Sequence, residues 1–161
     1  MAVQIRTIPE LRDAVGTTLG PSDWLTLDQP RIDAFAEVTG DHQWIHVDPE
    51  RAAASDLHTT IAHGYLTLSL APMLLDQLIA VRARATSLNY GLNRIRFLTP
   101  VPAGGRVRLL ATVISVVERP PQGVLATYGL TFELEGSQRP ALVAETVSLL
   151  VPRPGGDRAG D

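Results

Sequence analysis

Near residue 86 the spacing of apolar positions changes from a helical period to alternation. Downstream, residues 88–101, 106–117, 124–135 and 141–151 read as strands. In the third of these, Val124, Ala126, Tyr128, Leu130, Phe132 and Leu134 point one way. Turn residues at Pro102-Ala-Gly-Gly105, Pro120-Pro-Gln-Gly123 and Gly136-Ser-Gln separate the strands, which predicts antiparallel neighbours.

Upstream, residues 1–20 predict a short helix and a turn ending at Gly20-Pro21, and residues 22–27 a short strand. Asp28 stands where an N-cap belongs, with Pro30 in the first turn; Ile32, Phe35, Ala36 and Thr39 follow at helical spacing, and Gly40 closes the helix. Asp48 and Pro49 start another helix as N-cap and N1. Residues 41–47 are therefore expected as a short loop pinned between two helices. Residues 62–82 are apolar on most faces, which predicts a buried helix that Pro72 kinks or splits. A buried helix wrapped by an antiparallel sheet is an α+β architecture. One domain is expected over residues 1–151, with a disordered tail over 152–161.

Composition narrows the function. At 161 residues with 45% hydrophobic and 19% charged, the chain can bury a core. A net charge of -3 and the lack of a basic run argue against a nucleic-acid surface. There is no cysteine, so disulfide and thiolate chemistry are excluded. The N-terminus has no apolar run of a secretory signal, and residues 64–75 fall short of the ~20 apolar residues of a membrane span. A soluble, cytoplasmic protein without a membrane partner is expected.

The chemistry concentrates in residues 35–65, which hold all four histidines (His42, His46, His58 and His63) together with Glu37, Asp41, Asp48 and Glu50. Asp41 and His46, five apart, can divide proton transfer on one water; equally, Asp41 can cap a turn while His46 packs as a polar core residue. Gly64 opens the apolar helix, where its free N–H can polarise a substrate carbonyl, or where a glycine simply permits tight packing. Asn89 and Asn93, four apart on a strand, share a face and can line a substrate channel or cap a strand end; Gly91 between them suggests a bulge. Arg94 and Arg96 can meet anionic groups of a large substrate or sit solvated on an edge strand. His42 and His46 with Asp48 have metal-ligand spacing only on a helix, which Gly40 and Pro49 oppose, so no metal is expected. Nucleotide-binding glycine motifs and a G-x-S-x-G elbow do not occur.

Asp41-His-Gln-Trp-Ile-His46-Val-Asp48-Pro49, followed by Ile61-Ala-His-Gly64, resembles the signature of the MaoC-like (R)-specific enoyl-CoA hydratases. Tyr90-Gly-Leu-Asn93-Arg-Ile-Arg-Phe97 before Pro100-Val-Pro102 resembles the strand that follows the central helix in that family. The resemblance runs from about residue 22 to 151. It implies a hot-dog fold whose central helix spans 64 to about 81, and a homodimer acting on an acyl-CoA thioester. It implies addition of water to trans-2-enoyl-CoA, giving the (R)-3-hydroxyacyl-CoA, with Asp41 and His46 holding the water and Gly64 N–H binding the thioester oxygen. His63, Tyr65, Asn89, Asn93 and Arg94 are the implied substrate contacts. No cofactor is implied, since coenzyme A is part of the substrate. One departure stands out: some members carry a serine eight residues after the glycine, where this chain has Pro72. A hot-dog acyl-CoA thioesterase and a non-catalytic acyl-CoA-binding subunit are the competing readings. Turnover of a saturated acyl-CoA would mark the first, and loss of Asp41 or His46, both present here, the second.

Overall fold

Alternation along the C-terminal half builds the sheet. A computed structural model of the protein describes residues 2–5 and 7–153. Four long strands, β5 (Arg84–Phe97), β6 (Gly105–Arg119), β7 (Gly123–Leu134) and β8 (Leu142–Pro152), pair antiparallel in the order β6-β7-β8-β5. Two short strands, β2 (Thr18–Leu19) and β3 (Leu25–Leu27), extend the sheet on the far edge of β6. Burial of β7 alternates along its whole length, as its sequence predicts. Phe132, Leu130, Leu109, Val107, Val113 and Leu142 form the centre of the core with Leu27, Ile32 and Leu74 from the other elements. Phe132 is fully buried. Phe132→Ala is therefore expected to cost about 3–5 kcal/mol, read as a lower urea midpoint with an unchanged slope.

The caps fall where the sequence puts them. Asp28 accepts a hydrogen bond from the N–H of Arg31 at the start of α2 (Gln29–Thr39), and Gly40 ends that helix at φ 74. This left-handed conformation suits glycine. Asp48 accepts from the N–H of Arg51 at the start of α4 (Pro49–Ala53). The segment expected as a loop contains a helical turn, α3 (Trp44–Val47).

The central helix differs from expectation. It is two short segments, α5 (Gly64–Ser69) and α6 (Ala71–Asp76), broken at Leu70 just before Pro72. Proline lacks an N–H and crowds the preceding turn, so the split follows. Helix also stops earlier than residue 81. Residues Ile79–Val81 form β4, which pairs in parallel with β1 (Val3–Ile5). Residues 1–20, read as a helix and a turn, thus hold β1 and β2 besides α1 (Ile8–Asp13). The strand expected over 22–27 is confined to β3. The strand expected over 88–101 begins earlier, at Arg84, and ends at Phe97, where the chain turns toward Pro100 and Pro102. Of the expected tail, Pro152 closes β8, and residues 154–161 lie outside the described residues. Among the described residues no helix is long and apolar enough to cross a membrane.

Candidate active site

Two of the histidines meet face to face. The rings of His46 and His63 stack with centroids 3.7 Å apart, and Phe35 of α2 packs against His63 at 5.0 Å with a tilted ring. Both histidines are buried. His46 Nδ1 lies 2.7 Å from the Ile61 carbonyl, which can only accept, so Nδ1 carries the proton and Nε2 keeps its lone pair. By the same logic His63 donates from Nε2 to the Asp41 carbonyl at 3.0 Å. That bond fastens the loop carrying Asp41, whose half-exposed carboxylate comes within 4.0 Å of His63 Nε2. Burial, against the opposing pull of the Ile61 carbonyl, holds His46 below its ordinary value of 6.5; His63 pushes it further down and Asp41 pulls it up. At neutral pH His46 is thus a neutral imidazole able to take a proton.

Asp41, His46 and His63 also have metal-ligand composition, with candidate ligand atoms all within 4.8 Å of one another. Each imidazole already spends one nitrogen on a backbone carbonyl. Of the nitrogens left over, His63 Nδ1 is buried without a hydrogen-bond partner among the described residues.

His46 opens into a cavity of about 310 Å³ that is also lined by Gly64, Tyr65, Thr67, Phe97 and Thr99. Gly64 is the first residue of α5, so its N–H has no acceptor within the helix. A Cβ at this position would sit 2.8 Å from the Phe97 ring, so only glycine admits this approach of strand to helix.

A family model for the MaoC-like domain matches residues 10–130. The chain belongs to the MaoC-like dehydratase family. A 3-hydroxyacyl-thioester dehydratase Z of Mycobacterium tuberculosis is 48% identical over 141 residues, covering 88% of this chain and 93% of that protein. Nodulation protein N of Rhizobium leguminosarum bv. viciae is 42% identical over 146 residues, covering 89% and 91%. Among solved structures, an (R)-hydratase from A. caviae, described as involved in PHA biosynthesis, superposes with a TM-score of 0.69 at 26% identity, covering 84% of this chain and 96% of that one. The fold is the hot-dog fold of these MaoC-like hydratases, here with a divided central helix.

In this MaoC-like chain the remaining predicted residues separate into groups. Tyr65 is exposed at the mouth of the His46 cavity, edge-on to Phe97 at 5.8 Å. His63 does not line that cavity; it braces His46 and the Asp41 loop from behind. Two register shifts, at Asn89/Gly91 and at Leu92/Ile95, place bulges in β5, so the period that puts Asn89 and Asn93 on one face is interrupted. Asn89 lines a second, larger hollow. Asn93 reaches Glu145 at 3.4 Å, and the exposed Arg94 pairs with the same carboxylate at 4.0 Å. His42 turns away toward Glu37 at 3.6 Å.

Several supporting groups are invisible to motif reasoning. Gln29 donates to the His46 carbonyl at 2.8 Å and accepts from the Thr60 hydroxyl, tying α2, α3 and the 60s segment together. The Ile61 carbonyl that sets the His46 tautomer is a main-chain atom and carries no residue signature. Only the closeness of Thr60 and Ile61 to His63-Gly64 in sequence hints at their role.

Proposed function

We propose that this MaoC-like protein catalyses the reversible hydration of a trans-2-enoyl thioester to the (R)-3-hydroxyacyl thioester. The observation that carries the reading is the His46 tautomer: Nδ1 is committed to Ile61, which leaves the Nε2 lone pair free on a residue that lines the cavity holding Gly64 and clusters with Asp41. Water sits between the Asp41 carboxylate and His46 Nε2. Nε2 takes a proton from the water as its oxygen bonds to C3. The electron pair moves through C2 to the thioester oxygen, where the Gly64 N–H receives the charge. The imidazolium, steadied by Asp41, returns its proton to C2, and the site is reset. Coenzyme A enters as part of the substrate, and the reaction draws on no other cofactor. Loss of enoyl absorbance with crotonyl-CoA tests the reading. An intact signal with crotonyl-CoA and with longer enoyl-CoAs would sink it.

The same geometry sets a pH dependence. A base whose value is held below 6.5 stays neutral through neutrality, so kcat/KM for hydration should be level near pH 7 and fall only on the acid side of 6.5. For stability the sign is the same. The unfolded chain binds the proton more readily than the folded one, so stability is full above 6.5 and declines as pH falls below it toward the folded value. A pH–rate profile with its midpoint at or above 6.5 would assign the titration to another group.

We also infer a homodimer built on β5. Among the described residues this strand pairs only with β8, and it is exposed along nearly all of its length, with Leu88, Tyr90, Leu92 and Phe97 half-exposed on it. A long apolar edge is normally covered. Leu88→Glu is expected to shift the protein from dimer to monomer in analytical ultracentrifugation. A wild type that sediments as a monomer at micromolar concentration removes the inference.

A further inference from the structure

A second hollow of about 700 Å³ continues along the elements that wall the His46 cavity. Thr67 of α5 lines the smaller cavity, and Leu68 and Ser69, next in the chain, line the larger one with Pro72 and Leu75 of α6. On β8 the walls pass from Leu142 in the first to Thr146 and Ser148 in the second. At a rise of ~3.3 Å per residue that is about 13–20 Å further on.

Among apolar walls that include Leu68, Leu75, Ile79, Val81 and Leu150, the floor of this hollow carries a polar patch that a plain hydrocarbon tail does not call for. Strand register assembles it: Tyr128 on β7 lies opposite Thr146, and Asn89 on β5 lies opposite Ser148. Thr146 and Ser148, two apart, share the inward face. Tyr128 is only 2% exposed and Ser148 7% exposed. Neither side-chain hydroxyl makes a hydrogen bond to any described residue, and both residues line the hollow. Burial pushes Tyr128 up to about 12 against the opposing pull of Arg84, so its hydroxyl is held as a donor. Both hydroxyls open onto the hollow, where covering them with methylenes would strip them of water without replacement.

The geometry points to a substrate class: acyl thioesters that carry a hydroxyl or carbonyl oxygen in the part of the acyl group remote from the thioester, selected by Tyr128 and Ser148. This rests on the hydratase reading for the placement of the thioester end. A site that hydrogen-bonds a substrate oxygen discriminates against the analogue lacking it, because its own groups are then left unmet.

Calorimetric titration of the full chain tests it with saturated, non-hydrating thioesters. ω-Hydroxydodecanoyl-CoA and ω-hydroxyhexadecanoyl-CoA are each compared with the unsubstituted acyl-CoA of the same length. The oxygenated member is expected to bind about tenfold tighter for at least one length. Tyr128→Phe and Ser148→Ala are each expected to bring the ratio toward one. The ratio is read within each variant, so a partly unfolded fraction cancels. Equal binding by the wild type at both lengths overturns the inference, and so does a preference that survives both substitutions. Failure of the hydratase reading shows separately, as crotonyl-CoA left unconsumed while the calorimetric ratio still decides the tail specificity.

Discussion

His46→Gln and Asp41→Asn are each expected to lower kcat for enoyl-CoA hydration by about 10²–10⁴-fold, with the double variant little worse than either single one. Non-additivity follows from the proposed mechanism, in which both groups act on one water and removing either dismantles the same proton path. Loss of stability cannot imitate this result. His46→Gln removes one buried hydrogen bond, to Ile61, worth about 0.5–1.5 kcal/mol, and folded domains hold ~5–15 kcal/mol in reserve. A thermal melt lowered by a few degrees beside a rate lowered by orders of magnitude is the expected pair of observations. Near-normal turnover in either single variant would remove that residue from the proton path.

Gly64→Ala is expected to lower kcat/KM by about 10²-fold, although alanine keeps the N–H proposed to donate to the thioester oxygen. The new methyl would lie 2.8–2.9 Å from two carbons of the Phe97 ring, so one of them must move. The atoms met are the end of a side chain rather than backbone, so the Phe97 ring can give way, which keeps the cost in stability small while displacing a wall of the cavity. Shortening the ring side chain separates the two explanations. Phe97→Leu added to Gly64→Ala is expected to recover part of the lost rate if crowding is the cause. No recovery would mean that the methyl itself blocks the thioester oxygen.

Local rules make much of this protein readable from its residues. Asp28, Gly40 and Asp48-Pro49 mark helix ends because capping is settled within a turn of the chain. The inward face of β7 follows from alternation alone. The break before Pro72 follows from a missing N–H. That Asp41, His46 and His63 gather, with Gly64 at the start of α5, was hinted at by their residue types and spacing.

Pairing between distant segments decided the rest. Residues 79–81 read as the end of an apolar helix, yet they form β4 because Val3–Ile5 offers a parallel partner. A short apolar run satisfies either structure, and the choice belongs to the partner. The stack of His46 on His63 and the tautomer set by Ile61 depend on a chain reversal that no spacing encodes. Bulges in β5 depend on how it registers with β8, and with them the separate settings of Asn89 and Asn93. The polar floor joins Tyr128, Thr146, Ser148 and Asn89 from three strands. Each reads in sequence as an unremarked strand position, and register alone brings them together.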